Sequence, residues 1–237
     1  MASLMPELPA ERTKLLQMTL PTVPILPVDL FSRGTDMEWD KFKNTTPDSY
    51  IHNYPEILDL KVNAKSGIYD VVALTNWRTW TTTRQLSFSD KLGLDPNARY
   101  VAFDFWNQKL YGVFKGSMEV EIAPHDTRVL QLHPLLNRPQ LIGTSRHISG
   151  AYSILDLAWD ESRQSLRGSS QTVPGDPYSL WIHVPDGETV SDVKAAAEGG
   201  AKVPVAQERD GNSLRIRFAG QQGAVNWEVT FSKRNEP

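Results

Sequence analysis

Apolar and polar side chains alternate with a period of two along the sequence from about residue 57 onward. Leu155, Leu157 and Trp159, for example, recur at every second position. This spacing is typical of β-strands, in which successive side chains point to opposite faces. The period predicts strands at 57–63, 68–76, 81–88, 99–106, 109–114, 117–122 and 127–133, and then at 139–147, 151–159, 164–173, 177–184, 188–194, 202–207, 213–219 and 225–233.

Many short strands at hairpin spacing, without long helical segments between them, favour antiparallel sandwiches over a parallel sheet built from βαβ units. The predicted fold class is therefore all-β, an antiparallel β-sandwich. Two proline residues, Pro134 and Pro139, separate the two runs of strands. We expect two packed sandwich subdomains, at 57–135 and 136–237, although one large sandwich would satisfy the same periodicity.

Residues 1–56 differ from the rest, because seven prolines punctuate them and only residues 10–20 have a helical pattern. Pro21 ends that pattern, since proline cannot continue a helix. We therefore expect a short N-terminal helix followed by an irregular proline-rich arm. A helix this small cannot bury a core, so the arm either packs on the sandwiches, mediates self-association, or belongs to a neighbour outside this chain.

Composition excludes several classes of protein. The formal net charge of the 237-residue chain is −3, which provides no global field for a nucleic acid. The sequence contains no cysteine, so disulfides, thiolate metal sites and cysteine nucleophiles are excluded. It has no secretory signal and no apolar run long enough to cross a bilayer, which predicts a soluble protein without a membrane partner. The compartment of a longer parent protein stays open.

Catalytic motifs are sparse. The histidines form no HExxH pattern, and nucleotide-binding and hydrolase motifs are absent, so we predict no metal site and no cofactor. Paired carboxylates such as Glu119 with Glu121, or Asp156 with Asp160, could in principle serve glycoside hydrolysis. Alternating acids more commonly mark the solvated face of a strand. We therefore assign no catalytic residue.

The seven tryptophans of the chain are more informative about function than its carboxylates. Strand phase assigns Trp159 and Trp227 to apolar faces, whereas Trp181 and His183 point away from the apolar set of their strand. Trp181 with His183 is therefore our candidate carbohydrate-binding pair, with burial under another part of the chain as the alternative. Trp77 and Trp80 lie in a polar loop and are candidate interface residues.

Several short motifs occur together in the chain. They are Tyr-Val-Ala-Phe-Asp-Phe-Trp-Asn at 100–107, Gly-Val-Phe at 112–114, Pro-His at 124–125, Arg-Val-Leu at 128–130, Arg-Pro-Gln-Leu-Ile-Gly-Thr-Ser-Arg-His at 138–147 and Asn-Trp at 76–77. In combination they resemble the C-terminal β-sandwich region of bacterial α-galactosidase-like (melibiase-type) glycoside hydrolases. In such enzymes a catalytic (β/α)₈ barrel precedes the sandwich, and a proline-rich connection links the two. By this resemblance, residues 11–20 correspond to the last barrel helix and residues 21–31 to the exit segment.

A barrel needs about 250 residues, far more than precede the sandwich in this sequence. The resemblance therefore implies an accessory region without the catalytic domain, and no catalytic residue of the family is carried over. The expected role is to support a catalytic barrel, with oligosaccharide contact as an additional role. A stand-alone carbohydrate-binding module and a glycosidase that uses its own carboxylates are the alternatives.

Overall fold

The structure is a computed structural model that describes residues 8–28 and 55–233. It is all-β apart from two short helices, which confirms the predicted fold class. In chain order the elements are α1 (Ala10–Thr19), β1 (Leu26–Pro27), β2 (Ile57–Ala64), β3 (Gly67–Thr75), β4 (Thr82–Ser87), α2 (Phe88–Leu92), β5 (Arg99–Asp104), β6 (Lys109–Lys115), β7 (Ser117–Ile122), β8 (Thr127–Pro134), β9 (Gln140–Thr144), β10 (Ile154–Asp160), β11 (Ser165–Gln171), β12 (Pro177–His183), β13 (Glu188–Ala197), β14 (Ala206–Asp210), β15 (Ser213–Ala219) and β16 (Ala224–Lys233).

Two compact units divide the chain. Unit 1 comprises residues 1–23, 63–68 and 136–237, and unit 2 comprises residues 24–62 and 69–135. Helix α1 thus belongs to the same unit as the second run of strands. The domain boundaries expected from the sequence, with a separate segment at 1–56, stay a prediction, and residues 1–7 and 29–54 of that segment lie outside the described residues.

Unit 2 is built on a sheet with the strand order β1-β2-β3-β8-β5-β6-β7-β4. β6 and β7 pair through Lys115 and Ser117, on either side of Gly116, whose φ of 74° suits glycine. Its core consists of buried apolar side chains from β3, β5 and β8 together with others from β4, β7 and α2. They are Val72, Leu74, Leu86, Phe88, Leu92, Tyr100, Ala102, Met118, Val120, Ile122, Leu130 and Leu132.

Unit 1 contains two four-stranded sheets, ordered β10-β11-β16-β13 and β14-β15-β12-β9. Alternate side chains of both sheets form a single buried cluster, as expected when strands with a period of two pack face to face. Trp227 belongs to that cluster, and Trp159 packs against it half-buried. The inner face of each sheet therefore packs in the core, so only the outer faces are open to a ligand or a partner.

Helix α2 was not predicted, because the strand period was extended to residue 88. Its two buried side chains, Phe88 and Leu92, are four residues apart and so share one helical face. The Ser87 side chain accepts a hydrogen bond from the Asp90 amide at 3.4 Å, which caps the helix. Gly93 ends it in the left-handed conformation, with a φ of 64°.

Candidate binding surfaces

Trp181 and His183 lie on β12 and are both buried, with exposed fractions of 2% and 3%. The Arg215 guanidinium lies 5.1 Å from the centre of the indole ring, on the neighbouring strand β15. Burial lowers the pKa of His183, although Asp186 opposes the shift, so the imidazole is neutral at pH 7. An indole covered in this way offers no open face to a sugar ring, which favours the packing alternative. The carbohydrate role of this pair stays a prediction.

Trp77 and Trp80, in contrast, are well exposed on the loop between β3 and β4. Their exposed fractions are 39% and 50%. The Trp77 indole nitrogen donates a hydrogen bond to the Pro55 carbonyl oxygen at 3.1 Å. Exposed tryptophans held at a fixed position are common in protein interfaces, and the interface role of this pair stays a prediction.

Asn76 holds the backbone of this loop in place, and its side chain is fully buried. The Asn76 amide donates to the carbonyl oxygens of Trp80 at 2.7 Å, Ala123 at 3.0 Å and Ile122 at 3.1 Å. Its side-chain oxygen accepts a hydrogen bond from the Arg78 amide at 3.0 Å. A buried amide that meets its hydrogen-bonding needs in this way rigidifies the loop that carries both indoles.

A groove of about 650 Å³ crosses the outer face of the β10-β11-β16-β13 sheet in unit 1. Arg167, Glu228 and Lys194 form one row across it, because they pair directly from β11 to β16 to β13. Ser169 and Asn226, also paired across strands, lie in the next row toward the other end of the sheet. The strands thus supply a polar floor of alternating charge and amide or hydroxyl groups.

Two cations of the groove are paired with neighbouring acids. Arg167 lies 3.7 Å from the carboxylate of Asp160, and the Lys194 ammonium lies 2.6 Å from that of Asp192. The hydrogen bond that Lys194 donates to Asp192 raises the pKa of Lys194, so this amine stays protonated at any physiological pH. Because both cations are exposed, these pairs leave their charges accessible to a ligand.

The sequence does not predict this groove. Asp156, which lines the groove, has the pattern of an acid on a solvated strand face. That face is indeed exposed, but the alternation on one strand does not reveal which residues of the neighbouring strands lie beside it. The sequence contains only a weak indication of the groove, because β11, β13 and β16 each carry charged, amide or hydroxyl side chains at alternate positions.

In unit 2, two buried carboxylates share the ammonium of a half-exposed lysine. The Lys61 ammonium contacts the carboxylates of Asp59 at 3.1 Å and Asp70 at 2.5 Å, and also the Leu92 carbonyl oxygen. Burial raises the pKa of both carboxyls despite their contact with Lys61. One oxygen of Asp59, Oδ1, is buried without a hydrogen-bond partner. The ammonium occupies the space between the two carboxylates, so the cluster is a closed ion network.

His147 attaches the end of helix α1 to the loop after β9. Its Nδ1 accepts a hydrogen bond from the Ser149 amide at 3.1 Å, so the proton lies on Nε2, which donates to the Pro21 carbonyl oxygen at 3.2 Å. The Ile148 amide also donates to the Met18 carbonyl oxygen at 2.8 Å. Burial lowers the pKa of His147, which keeps the imidazole neutral at pH 7.

Among residues 8–28 and 55–233, no group of three or more histidine and acidic side chains is arranged to hold a metal ion. Within the same residues, no helix is long and apolar enough to cross a membrane.

Several solved structures match the chain, two of them as follows. One is an α-galactosidase I from Mortierella vinacea, with 19% identity over 33% of this chain and 21% of its own, at a TM-score of 0.29. The other is an isomalto-dextranase from Arthrobacter globiformis complexed with panose, with 14% identity over 78% of this chain and 38% of its own, at a TM-score of 0.30. The chain thus spans well under half the length of either protein. No curated protein matches the chain.

The family model described as the α-galactosidase C-terminal β-sandwich domain matches residues 63–132. The match begins near the end of β2 and ends within β8, so it covers the strands that surround the core of unit 2. Residues 138–147, which the sequence resemblance also included, lie beyond it. Over residues 63–132 the chain is therefore similar to the C-terminal β-sandwich domain of α-galactosidases, as its sequence motifs indicated.

Proposed function

We propose that this chain is a non-catalytic accessory region of an α-galactosidase-like glycoside hydrolase, and that it supports a catalytic barrel through helix α1. The family match at residues 63–132 supports the kind of parent protein. The exposure of helix α1 supports its role as the element that contacts the barrel, and the proposal rests on this observation.

Helix α1 buries none of its side chains, and Leu15 and Leu20 are 50% and 44% exposed. An isolated helix of 10 residues is marginal in water, because most helical stability in proteins comes from packing an apolar face. The C-terminal end of α1 is nevertheless fixed by the hydrogen bonds to His147 and Ile148. A helix that is fixed at one end and has no fully buried side chain along its length is well suited to contact a separate partner.

The loop with Trp77 and Trp80 offers a second contact surface of the same kind, in unit 2. Asn76 holds its backbone, so the two indoles lose little conformational freedom when a partner binds. We assign this loop to protein contact in preference to sugar binding.

A mixing experiment tests the proposal. The full chain is combined with a melibiase-type catalytic barrel produced without its own sandwich, and the complex is measured by size-exclusion chromatography and by the barrel's half-life at elevated temperature. We expect complex formation and a longer half-life. The L15Q/L20Q double variant should bind the barrel at least tenfold more weakly, because it replaces the two exposed apolar side chains that would contact the barrel.

Ile68→Gln is the matched control, because Ile68 is 71% exposed but lies at the start of β3, outside helix α1. It should leave binding unchanged. The proposal is wrong if no complex forms with the barrel. A concentration-dependent dimer of the chain that L15Q/L20Q abolishes would instead identify self-association as the role of α1.

A further inference from the structure

The groove on the outer face of the β10-β11-β16-β13 sheet carries two cations that form no ion pair. Four basic and two acidic side chains line it, and Asp160 and Asp192 beside it pair with two of the basic ones, Arg167 and Lys194. Arg163 and Lys202 are both exposed and form no ion pair with any described carboxylate. A concave surface with uncompensated cations attracts an anionic ligand.

The two unpaired cations lie at different borders of the groove. Arg163 is in the turn between β10 and β11, at one end of the sheet. Lys202 lies beside the edge strand β13, where it forms an isolated bridge with Ala196. Strands β11, β16 and β13 lie between these two positions, and neighbouring strands are about 4.8 Å apart. The two cations therefore lie several strands apart, which suits an extended ligand with more than one anionic group.

The floor between the cations suits hydroxyl groups. Asp156, Glu228 and Asn226 provide carboxylate and amide oxygens that accept hydrogen bonds, and Asn226 also donates. Carboxylates on the floor would repel a ligand covered in phosphates but would accept the protons of ring hydroxyls. No exposed aromatic side chain of the described residues lines the groove, so recognition relies on charge and hydrogen bonds instead of stacking.

The shape of the sheet explains why a groove forms on this face. Register shifts interrupt β10 between Ile154 and Asp156 and β13 between Val190 and Asp192. Bulges of this kind increase the bend and twist of a strand. Here both edge strands carry one, so the sheet has irregular borders on each side of its two regular central strands, β11 and β16.

We propose that this groove binds an oligosaccharide that carries anionic groups, with Arg163 and Lys202 holding the anions and Asn226 and Asp156 holding ring hydroxyls. The anions could be carboxylates of uronic acids or sulfate esters, and the cations recognise both. This inference goes beyond the supporting role of α1 and does not depend on it, because the groove and the helix use different residues.

Isothermal titration calorimetry of the full chain tests the groove with four probes of similar length: an oligogalacturonate, a sulfated galacto-oligosaccharide, the neutral galacto-oligosaccharide and inorganic polyphosphate. We expect at least one anionic oligosaccharide to bind, and the neutral one to bind at least tenfold more weakly. The relative affinity for the first two probes identifies carboxylate or sulfate as the preferred anion.

Three variants locate the site. R163Q/K202Q should weaken binding of the anionic oligosaccharide at least tenfold, whereas K65Q/K115Q, which removes two exposed cations of other strands and turns, should have no effect. Asn226→Ala should weaken oligosaccharide binding without altering polyphosphate binding. All these side chains are exposed, so melting temperatures should match that of the parent protein.

The proposal is overturned if neither anionic oligosaccharide binds at millimolar concentration, or if R163Q/K202Q leaves their binding unchanged. It is also overturned if polyphosphate binds as tightly as the oligosaccharides, since the groove would then be a simple anion patch. Failure of the barrel-mixing experiment would leave these outcomes unaffected.

Discussion

Individual buried polar residues make opposing contributions in this protein. Asn76 forms several hydrogen bonds to backbone groups and so stabilises the loop above it. Asp59 is equally buried but leaves one carboxylate oxygen without a partner, and it shares Lys61 with Asp70. Burying a charge that is incompletely paired is unfavourable. The ionic cluster in unit 2 is therefore a place where stability depends on pH.

Asp59→Asn should make the protein more stable at neutral pH. Because the pKa of Asp59 is raised in the folded state, its contribution to stability is complete below the unfolded value of 3.8 and is lost as pH rises through the folded value. The neutral amide does not suffer this loss, so we expect a gain of about 1 kcal/mol in the free energy of unfolding at pH 7. Urea unfolding of both proteins between pH 4 and 7 measures it. The gain should shrink toward pH 4, and Glu119→Gln, on the exposed side of β7, should show no such trend.

Trp181→Ala should lower the free energy of unfolding by about 3–5 kcal/mol, the range for truncating a large aromatic side chain in a core. Trp181 is 2% exposed, whereas Trp80 is 50% exposed, so Trp80→Ala is the matched comparison and should change stability far less. Urea unfolding monitored by circular dichroism provides both values. An unchanged stability for Trp181→Ala, combined with lost oligosaccharide affinity, would instead support the sugar-binding role first assigned to this residue.

At the scale of secondary structure, helix α1 is the element whose stability is the most conditional. It has no buried side chain of its own, and two hydrogen bonds, from His147 and from the Ile148 amide, attach its C-terminal end to unit 1. In the neutral ring Nδ1 accepts a hydrogen bond from the Ser149 amide, while Nε2–H donates to the Pro21 carbonyl oxygen. Protonation would keep the Nε2 donor but remove the Nδ1 acceptor and place a charge on a buried ring, so the loop that holds α1 is coupled to pH.

Acidification from about pH 7.5 to about pH 5.5 should loosen α1. The pKa of His147 is lowered in the folded state, so its stabilising contribution is present above the unfolded value of 6.5 and is lost as pH falls below it. Hydrogen exchange of the Ile148 amide, corrected for intrinsic rates, should therefore become faster at the lower pH. His147→Gln keeps a donor for the Pro21 carbonyl but does not titrate, so its exchange should not depend on pH in this way. The Leu180 amide in β12 is the internal reference.

The strands could be predicted because each is specified by its own alternation, which is visible within a few residues. The position predicted for β14, 202–207, was too early, since residue 202 forms only an isolated bridge with Ala196 and the paired strand begins at Ala206. The groove could not be predicted, because it arises from the register between strands that are distant in sequence. Arg167 and Lys194 share a row only because both pair with Glu228. The burial of Trp181 could not be predicted from strand phase either. Strand phase shows on which face of β12 the side chain lies, but not whether another part of the chain covers that face.

For the whole molecule, the described residues form two compact units rich in β-strands, and the family match covers much of one of them. Glycoside hydrolysis requires an acid and a second carboxylate on either side of the glycosidic bond. In unit 2, the carboxylates of Asp59 and Asp70 both contact the Lys61 ammonium, so this carboxylate pair is engaged in an ion network.

The purified full chain should therefore leave nitrophenyl α-galactosides and α-N-acetylgalactosaminides intact. Release of nitrophenol, followed spectrophotometrically over several hours at pH 5 and pH 7, measures the activity. An intact melibiase-type enzyme is the positive control. Turnover that a single Asp→Asn or Glu→Gln substitution abolishes would contradict the accessory role and favour a glycosidase that uses its own carboxylates.

The strand order of both units has a consequence for how the chain folds during synthesis. In unit 2, β8 is the last strand to be made, yet it lies between β3 and β5, and in unit 1 the last strand, β16, lies between β11 and β13. These two sheets are therefore completed only by a strand in their interior, and the edges of the strands beside it stay unpaired until that strand emerges from the ribosome. Exposed edges of this kind invite pairing with other chains. Each sandwich thus closes in one late, cooperative step, and the interval before it is when a nascent chain is most exposed to aggregation.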